Sequence, residues 1–157
     1  MNSVILSNPG NTTLNLTGSL SASGTITASK VYNAVYNDYA EFYEKANNED
    51  VKYGYVIELN PDTGRYHIAC HEDSTLVVGV SSNTYGHIIG GEPLENMEEN
   101  LKRYIPVGIA VRVRVRITGI VHIGDRLTSA ANGCAKTSKR EIPGSIIGKL
   151  LRLPLVS

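Results

Sequence analysis

The sequence contains no tryptophan and a single phenylalanine among its 157 residues, which argues against a large aromatic core. The apolar fraction of 41% and the charged fraction of 19% are both somewhat below the averages for globular domains. Short strands of Val, Ile, Leu and Thr, with glycine at the turns, suit this composition. We therefore expect a mainly all-β protein, long enough for one domain plus an extension.

Cysteine is equally scarce, since Cys70 and Cys134 are the only two. Two cysteines are too few for a disulfide framework, and their spacing matches no zinc motif. The dipeptide Cys70-His71 is the one hint of a pair of metal ligands. We favour the simpler interpretation, in which Cys70 is a small half-buried residue next to a polar histidine. No phosphate-binding glycine loop or nucleophile elbow is present. We expect neither a metal nor a cofactor.

Long apolar runs are missing as well. The first ten residues lack the basic start and apolar segment of a signal peptide. No stretch approaches the length needed to cross a bilayer. We therefore expect a protein made in a cytoplasm, with no membrane partner.

The net charge is zero, but the charges are distributed unevenly along the chain. Residues 41–100 carry three basic and twelve acidic residues, a net of −9, whereas residues 101–157 carry eleven basic and two acidic residues, a net of +9. This asymmetry could indicate a nucleic-acid surface. We favour a self-assembling protein, in which the acidic part of one copy meets the basic part of another, because the bases do not form a run. We expect no nucleic-acid partner.

Residues 1–30 are nearly uncharged and rich in Ser, Thr and Gly. Leu and Ile alternate with polar residues in residues 13–17 and 25–27, which predicts a series of short strands. One copy has too few apolar residues to bury a core. We therefore expect an extended β stalk or anchor that becomes ordered when three chains wind together, with a flexible linker as the alternative.

Residues 31–50 form a predicted neck that holds five of the ten aromatic residues. The spacing predicts a strand followed by one or two helical turns up to about Ala46, because the residues at 39, 42 and 43 fall at i, i+3 and i+4. We expect the aromatic side chains to pack at the neck of a trimer. They are Tyr32, Tyr36, Tyr39, Phe42 and Tyr43.

Residues 51–157 are predicted to form a β-rich head, either a small sandwich or a barrel, because turn signals recur every eight to twelve residues. Within it, residues 60–64 predict a hairpin turn. Residues 81–91 predict a glycine-rich loop, in which Tyr85 and His87 could contact a receptor. Residues 92–103 fit a short surface helix or an ordered acidic insertion.

Residues 104–121 give the clearest strand pattern of the head. Valine and isoleucine alternate with Arg112, Arg114 and Arg116, so one face is predicted to be core and the other to carry three arginines. We expect these arginines to meet the acidic segment 92–99, in the same chain or in a neighbour. The alternative is a solvated face that blocks association edge to edge.

Residues 37–44, NDYAEFYE, resemble the entry motif of the self-processing intramolecular chaperone domains at the C-termini of tailed-phage fibre and appendage proteins. This is a glutamic-type self-cleaving family. The similarity continues in order to about residue 150, through GYVI at 54–57, LVVGV at 76–80, PVGIAVRV at 106–113 and GIVHIGDRL at 119–127.

The resemblance implies a trimeric β protein of a virion that is assembled in the host cytoplasm. Its expected partners are its own copies and other virion proteins, which bind its N-terminus. It also implies cleavage of the Asn37–Asp38 bond with help from Glu41. The family pattern has Ser before the Asp, so this chain lacks a hydroxyl nucleophile. The pair Asp38 and Glu41 would equally suit caps in the first turn of a helix.

Three hypotheses follow from these observations. The first is a structural virion protein, such as a fibre, head fibre, appendage or decoration protein, that keeps its trimerising head. The short segment before the motif favours it, because about 37 residues are too few for a complete fibre. The second is a chaperone that cuts itself once at Asn37–Asp38. The third is a fibre tip that binds a host receptor or glycan through Tyr85 and His87.

Overall fold

The computed structural model describes residues 16–18, 20, 22–27, 38–92, 96–140 and 142–153. The chain divides into two units, Met1–Val31 and Tyr32–Ser157. In the described part of the first unit, Leu16, Leu20 and Ile26 are exposed and no strand is formed by one chain. The stalk expected for residues 1–30, which needs three chains, therefore stays a prediction.

The second unit is built mainly of β-strands. The described elements are β1 Asp38–Glu44, β2 Val56–Asn60, β3 Arg65–Ile68, β4 Val77–Ser81, β5 Tyr85–Ile89, α1 Met97–Arg103, β6 Tyr104–Val111, β7 Arg126–Ser129, β8 Ala135–Thr137 and β9 Ile146–Lys149. The prediction of a β-rich protein is confirmed.

The main sheet has six strands in the order β3-β2-β4-β6-β1-β5. β1 lies inside it, antiparallel to β6 and parallel to β5. The residue after β1, Lys45, forms an isolated bridge with Tyr66 on β3, which brings the chain after β1 to the far edge of the sheet. The sheet is therefore strongly curled around Ile57, Ile105 and Val107, which are at most 1% exposed.

A small sheet of three strands has the order β8-β7-β9. A second core cluster joins the two sheets, because Val56 and Val80 of the main sheet pack with Leu127 and Ala135 of the small one. Neither sheet closes into a barrel, since β3 and β5 end the main sheet and β8 and β9 end the small one.

The hairpin between β2 and β3 is confirmed at the predicted turn. Gly64 has φ +67°, the left-handed conformation that favours glycine. The Asn60 side-chain oxygen accepts hydrogen bonds from the backbone N–H groups of Asp62 and Thr63, at 3.0 Å and 3.2 Å. The strands then pair in a fixed register, with Glu58 directly opposite His67.

Three sequence predictions about local structure were wrong. Residues 39–43 are extended within β1 and not helical, because ladders on both sides override the helical spacing. Residues 85–89 of the predicted loop form the strand β5. The strand predicted for residues 104–121 ends at Val111. Beyond it, Val113, Val115 and Ile117 still pack against the core while the arginines between them are exposed.

The acidic segment does form a short helix. The side of this helix that is buried differs from the side that its apolar residues predict. Met97 is 44% exposed, whereas Asn100 is buried. The Asn96 side chain caps the helix by accepting from the Glu99 amide at 3.0 Å. No described helix is long and apolar enough to cross a membrane.

Candidate functional site

The predicted self-processing motif lies where β1 begins. Its first described residue, Asp38, starts the strand, while Asn37 lies outside the described residues. Burial alternates along the extended backbone, since Asp38 and Ala40 are 0% exposed and Tyr39 is 45% exposed. The motif is therefore held by the ladders of β5 and β6 and not by a loop.

Asp38 is an unusual residue for the interior of a sheet. Within the part of the chain that the structure describes, neither of its carboxylate oxygens has a hydrogen-bond partner. The carboxylate lies beside Gly108 of β6, where a Cβ atom would come within 3.3 Å of Oδ2. A buried carboxylate without a partner is costly, and such cost is typical of residues kept for function. The position marks Asp38 as the reactive candidate of the motif.

Glu41 is partly buried and already engaged. Its Oε2 accepts a hydrogen bond of 3.0 Å from the Tyr43 hydroxyl. Burial, followed by this hydrogen bond and the charge of Glu41, raises the pKa of Tyr43 to about 12. Tyr43 also packs edge-on against Tyr66, with ring centroids 4.5 Å apart. Glu41 thus belongs to a network that ties β1 to β3.

The two carboxylates do not form a capping pair, and that interpretation was wrong. Asp38 and Glu41 lie in one strand, where three residues advance the chain by about 10 Å. In a helix the same spacing would bring them onto one face. The strand therefore gives them different surroundings, one carboxylate without partners and the other bonded to Tyr43.

The predicted neck aromatics have different environments. Tyr32 and Tyr36 lie outside the described residues. Phe42 packs against Tyr104 with ring centroids 5.8 Å apart, so it contacts its own chain. Tyr39 is the most exposed of the described set, with its ring 5.3 Å from that of His87. Of these residues, Tyr39 is the one best placed to contact another molecule.

The three arginines are exposed, as their alternation predicted. Arg116 is held in its own chain, because its guanidinium lies 4.4 Å from the Tyr55 ring centroid and donates to the Tyr55 hydroxyl. The acidic residue Glu92 is contacted by Arg103 at 3.7 Å and by the Tyr104 hydroxyl at 3.2 Å.

The suggested recognition residues belong to the edge strand β5. The Tyr85 hydroxyl donates to the Met97 sulfur at 3.5 Å, which joins β5 to α1. Burial raises the pKa of Tyr85. His87 is exposed and stacks at an angle on Tyr39. This geometry offers an edge for contact but no enclosed pocket.

A second group of polar side chains was missed by the sequence analysis. Glu58, His67, Cys70 and His71 converge at the hairpin of β2 and β3. Burial raises the pKa of Glu58, but hydrogen bonds led by that of the Cys70 amide outweigh it, and the net pKa is lowered. Burial and the nearby Glu58 raise the pKa of the Cys70 thiol, which argues against an activated nucleophile. Only Cys70-His71 gave a hint in the sequence.

Two solved structures share the fold. The first is the pre-mature form of gene product 12 of bacteriophage phi29, with a TM-score of 0.62 and 17% identity over 83% of this chain. This chain spans only 24% of that protein. The second is a C-terminal fragment of the same gene product, with a TM-score of 0.53 and 17% identity. That match covers 73% of this chain and 100% of the fragment.

No curated protein sequence matches the chain. A family model does match, and its description is Peptidase_G2, IMC autoproteolytic cleavage domain. The match covers residues 4–103, which is well over half of the chain and includes the Asn37–Asp38 junction, β1 and the hairpin of β2 and β3. The chain therefore belongs to the family of IMC autoproteolytic cleavage domains.

Proposed function

We propose that this chain is the intramolecular chaperone part of a phage appendage or fibre protein, which assembles as a homotrimer in the virion. Residues 1–30 belong to the stalk, the Asn37–Asp38 junction lies in the neck that follows, and residues from Asp38 onward form the domain that guides assembly. Support comes from the family and from the shared fold with a phage protein.

The observation that carries this proposal is the position of the junction. Asp38 is the first residue of β1, an internal strand of the main sheet. A boundary at Asn37–Asp38 therefore separates the preceding segment without removing any described strand from the domain. A domain arranged in this way can fold as a unit and remain intact whether or not the chain is cut.

The surface near β1 supports contact between copies. Apolar side chains on three adjacent strands are exposed, namely Tyr39 at 45%, Ile89 at 45% and Ile109 at 46%. Among the described strands, β5 is an edge of the main sheet, and an edge strand can pair with another chain. The partner we favour for this surface is a second copy of the chain. The family and the opposite net charges of residues 41–100 and 101–157 support this choice.

A second candidate function is a single self-cleavage at Asn37–Asp38. It is favoured by the family and by the unpartnered Asp38 carboxylate at the junction. In hydrolysis, water adds to the Asn37 carbonyl carbon, the C–N bond breaks, and the Asp38 nitrogen takes up a proton. Asp38 is better placed than Glu41 to accept the proton of water, because the Glu41 carboxylate already accepts a hydrogen bond from the Tyr43 hydroxyl.

Without a hydroxyl at position 37, a slower route is also available. The Asn37 side-chain nitrogen can attack its own main-chain carbonyl, which breaks the same bond and closes a succinimide ring at the new C-terminus. The two routes differ in their products. Hydrolysis gives a free carboxylate on Asn37, whereas cyclisation gives an N-terminal fragment that is lighter by one water.

The experiment is mass measurement of the freshly purified chain under native and denaturing conditions. Three copies in the native spectrum are expected from the first proposal, and a strict monomer would contradict it. Fragments 1–37 and 38–157 in the denaturing spectrum are expected from self-cleavage. An intact chain after prolonged incubation would show that the domain is retained uncut.

Matched variants assign the roles of the carboxylates. Asp38→Asn is expected to abolish the fragments of hydrolysis but not those of cyclisation. Glu41→Gln is expected to slow hydrolysis less, because glutamine keeps an oxygen that can accept from the Tyr43 hydroxyl. Glu44→Gln is the control, because Glu44 lies in the same strand but pairs with Arg65 at the surface, 3.0 Å away. Cleavage in Asp38→Asn at the parental rate would remove Asp38 from the mechanism.

A further inference from the structure

Four potential ligands meet at the hairpin of β2 and β3. Glu58 and His67 are cross-strand partners, while Cys70 and His71 follow the end of β3 after Ala69. Glu58 Oε1 lies 3.3 Å from Cys70 Sγ, 3.2 Å from His71 Nδ1 and 4.0 Å from His67 Nε2. The ligand atoms of Glu58, His67 and Cys70 all lie within 4.8 Å of one another.

Glu58 is a buried carboxylate without a strong counter-charge. Its side chain is 1% exposed, and its ion pairs with other described residues are only with the His67 and His71 rings. Its Oε2 is buried and has no well-formed hydrogen bond within the described part of the chain, although the Ser74 side chain lies near enough to help lower the pKa of Glu58. A carboxylate buried this deeply is normally paired with a cation or bound to a metal.

The orientation of His67 also favours a cation. Its Nδ1 lies 2.8 Å from the Ile68 carbonyl oxygen, so the neutral ring carries its proton on Nδ1. Nε2 then carries a lone pair and no proton. It lies 4.0 Å from Glu58 Oε1, which is also an acceptor, so the two atoms cannot hydrogen-bond to each other. Metal-bound histidines commonly donate their second N–H to a backbone carbonyl in this way.

We propose that Glu58, His67, Cys70 and His71 bind one zinc-like divalent transition-metal ion per chain. In a tetrahedral zinc site with bonds of about 2.0 to 2.3 Å, neighbouring ligand atoms lie roughly 3.3 to 3.6 Å apart. The separations of Glu58 Oε1 from Cys70 Sγ and His71 Nδ1, and of Cys70 Sγ from His71 Nδ1, are 3.3 Å, 3.2 Å and 3.2 Å. His67 Nε2, which lies 4.0 Å from Glu58 Oε1, and the exposed His71 ring must turn inward for all four ligands to reach one ion.

The set of donors determines which metal is bound. A thiolate and two imidazoles select zinc and similar ions over magnesium or calcium, which prefer oxygen. The His71 ring is 74% exposed, so it can turn towards the ion at little cost. The thiol of Cys70 must lose its proton on binding, which makes binding weaker at low pH.

Such a site would join β2, β3 and the segment after β3. It lies away from the Asn37–Asp38 junction in sequence and uses none of the carboxylates of β1, so it is independent of the proposed self-processing. Its effect would be to lock the register of the hairpin at the edge of the main sheet.

The test is titration of the chelator-treated full chain with zinc chloride, followed by calorimetry, and with cobalt chloride, followed by absorption. One ion per chain, proton release and a thiolate-to-cobalt charge-transfer band are expected. Cys70→Ser and His67→Ala are expected to weaken binding at least about tenfold, since even outer-shell partners have effects of about 10- to 100-fold. His71→Ala is expected to weaken it less.

Cys134→Ser is the control, because Cys134 is the other free cysteine of the chain. It should bind zinc as the parent does and keep the cobalt band. Loss of the band in Cys134→Ser, equal zinc affinity in Cys70→Ser and the parent, or no stoichiometric binding by the parent would each overturn the proposal. Circular dichroism of each variant separates loss of binding from loss of folding.

Discussion

The Asp38 carboxylate lies against the bare Cα of Gly108 on the neighbouring strand. A Cβ atom at position 108 would lie 3.3 Å from Asp38 Oδ2 and 2.7 Å from Val113 Cγ1. Glycine is therefore needed here for space and not for a positive φ. The close approach of β6 to the start of β1 is what encloses the candidate reactive residue.

Gly108→Ala is expected to destabilise the domain. The added methyl group must displace Val113 or the carboxylate, and such overpacking costs about 1 to 3 kcal/mol. The free energy of unfolding from urea titration measures the effect. Gly148→Ala is the control, because a Cβ at Gly148 meets no atom within 4 Å. Equal stability of the two variants would mean that the contact at Gly108 is not restrictive.

Asn100→Ala is expected to increase local opening of the segment between β5 and α1. The Asn100 side chain accepts from the Glu92 amide at 2.7 Å and donates to the Glu92 carbonyl at 3.2 Å. Leaving these backbone groups without partners costs about 1 to 3 kcal/mol. Hydrogen exchange of the Glu92 amide should accelerate, while the exposed control Glu98→Ala should leave it unchanged. An unaltered exchange rate in Asn100→Ala would contradict the assigned contacts.

Glu58 is expected to make stability depend on acid pH. Its pKa in the folded chain is lowered from 4.5, so the stability it contributes is fully present above that value. It is lost as the pH falls through the lowered pKa of the folded state. Urea titrations in the presence of a chelator, from about pH 7 to about pH 3, should show this loss.

The matched pair Glu58→Gln and Glu98→Gln separates this contribution from the general effect of acid. Glu58→Gln should show a shallower decline below about pH 4.5, because glutamine does not titrate. Glu98→Gln should follow the parent, since Glu98 is exposed. If the stability of the parent and of both variants declined equally as the pH falls, Glu58 would have no part in the acid sensitivity.

The exposed arginines should contribute to association between copies. Arg112→Ser with Arg114→Ser is expected to weaken the proposed trimer, more at low salt than at high salt, because screening already weakens surface charges at high ionic strength. Sedimentation at two salt concentrations measures it. Arg116→Ser is the comparison, because Arg116 stacks on Tyr55 and should affect the stability of the single chain. No salt-dependent change in the double variant would refute the charge contact.

The sequence predicted the family correctly because the motif that carries the resemblance, residues 37–44, is contiguous. The hairpin at Asn60 to Gly64 was equally predictable, since turn residues act over four or five positions. β1 was mistaken for a partly helical segment, because its aromatic spacing is helical while its pairing with β5 and β6 involves residues far along the chain. The same limitation hid β5, whose parallel partner β1 lies more than forty positions earlier.

What the sequence determined by itself is the β-rich class and the family of the chain. These depend on composition and on contiguous residues. Only the tertiary structure decided that Asp38 is buried without a partner among the described residues, while Glu41 is bonded to Tyr43. It alone also brought Glu58 to His67, Cys70 and His71. The physical reason is that burial and strand register arise from packing between distant segments, which no local pattern encodes.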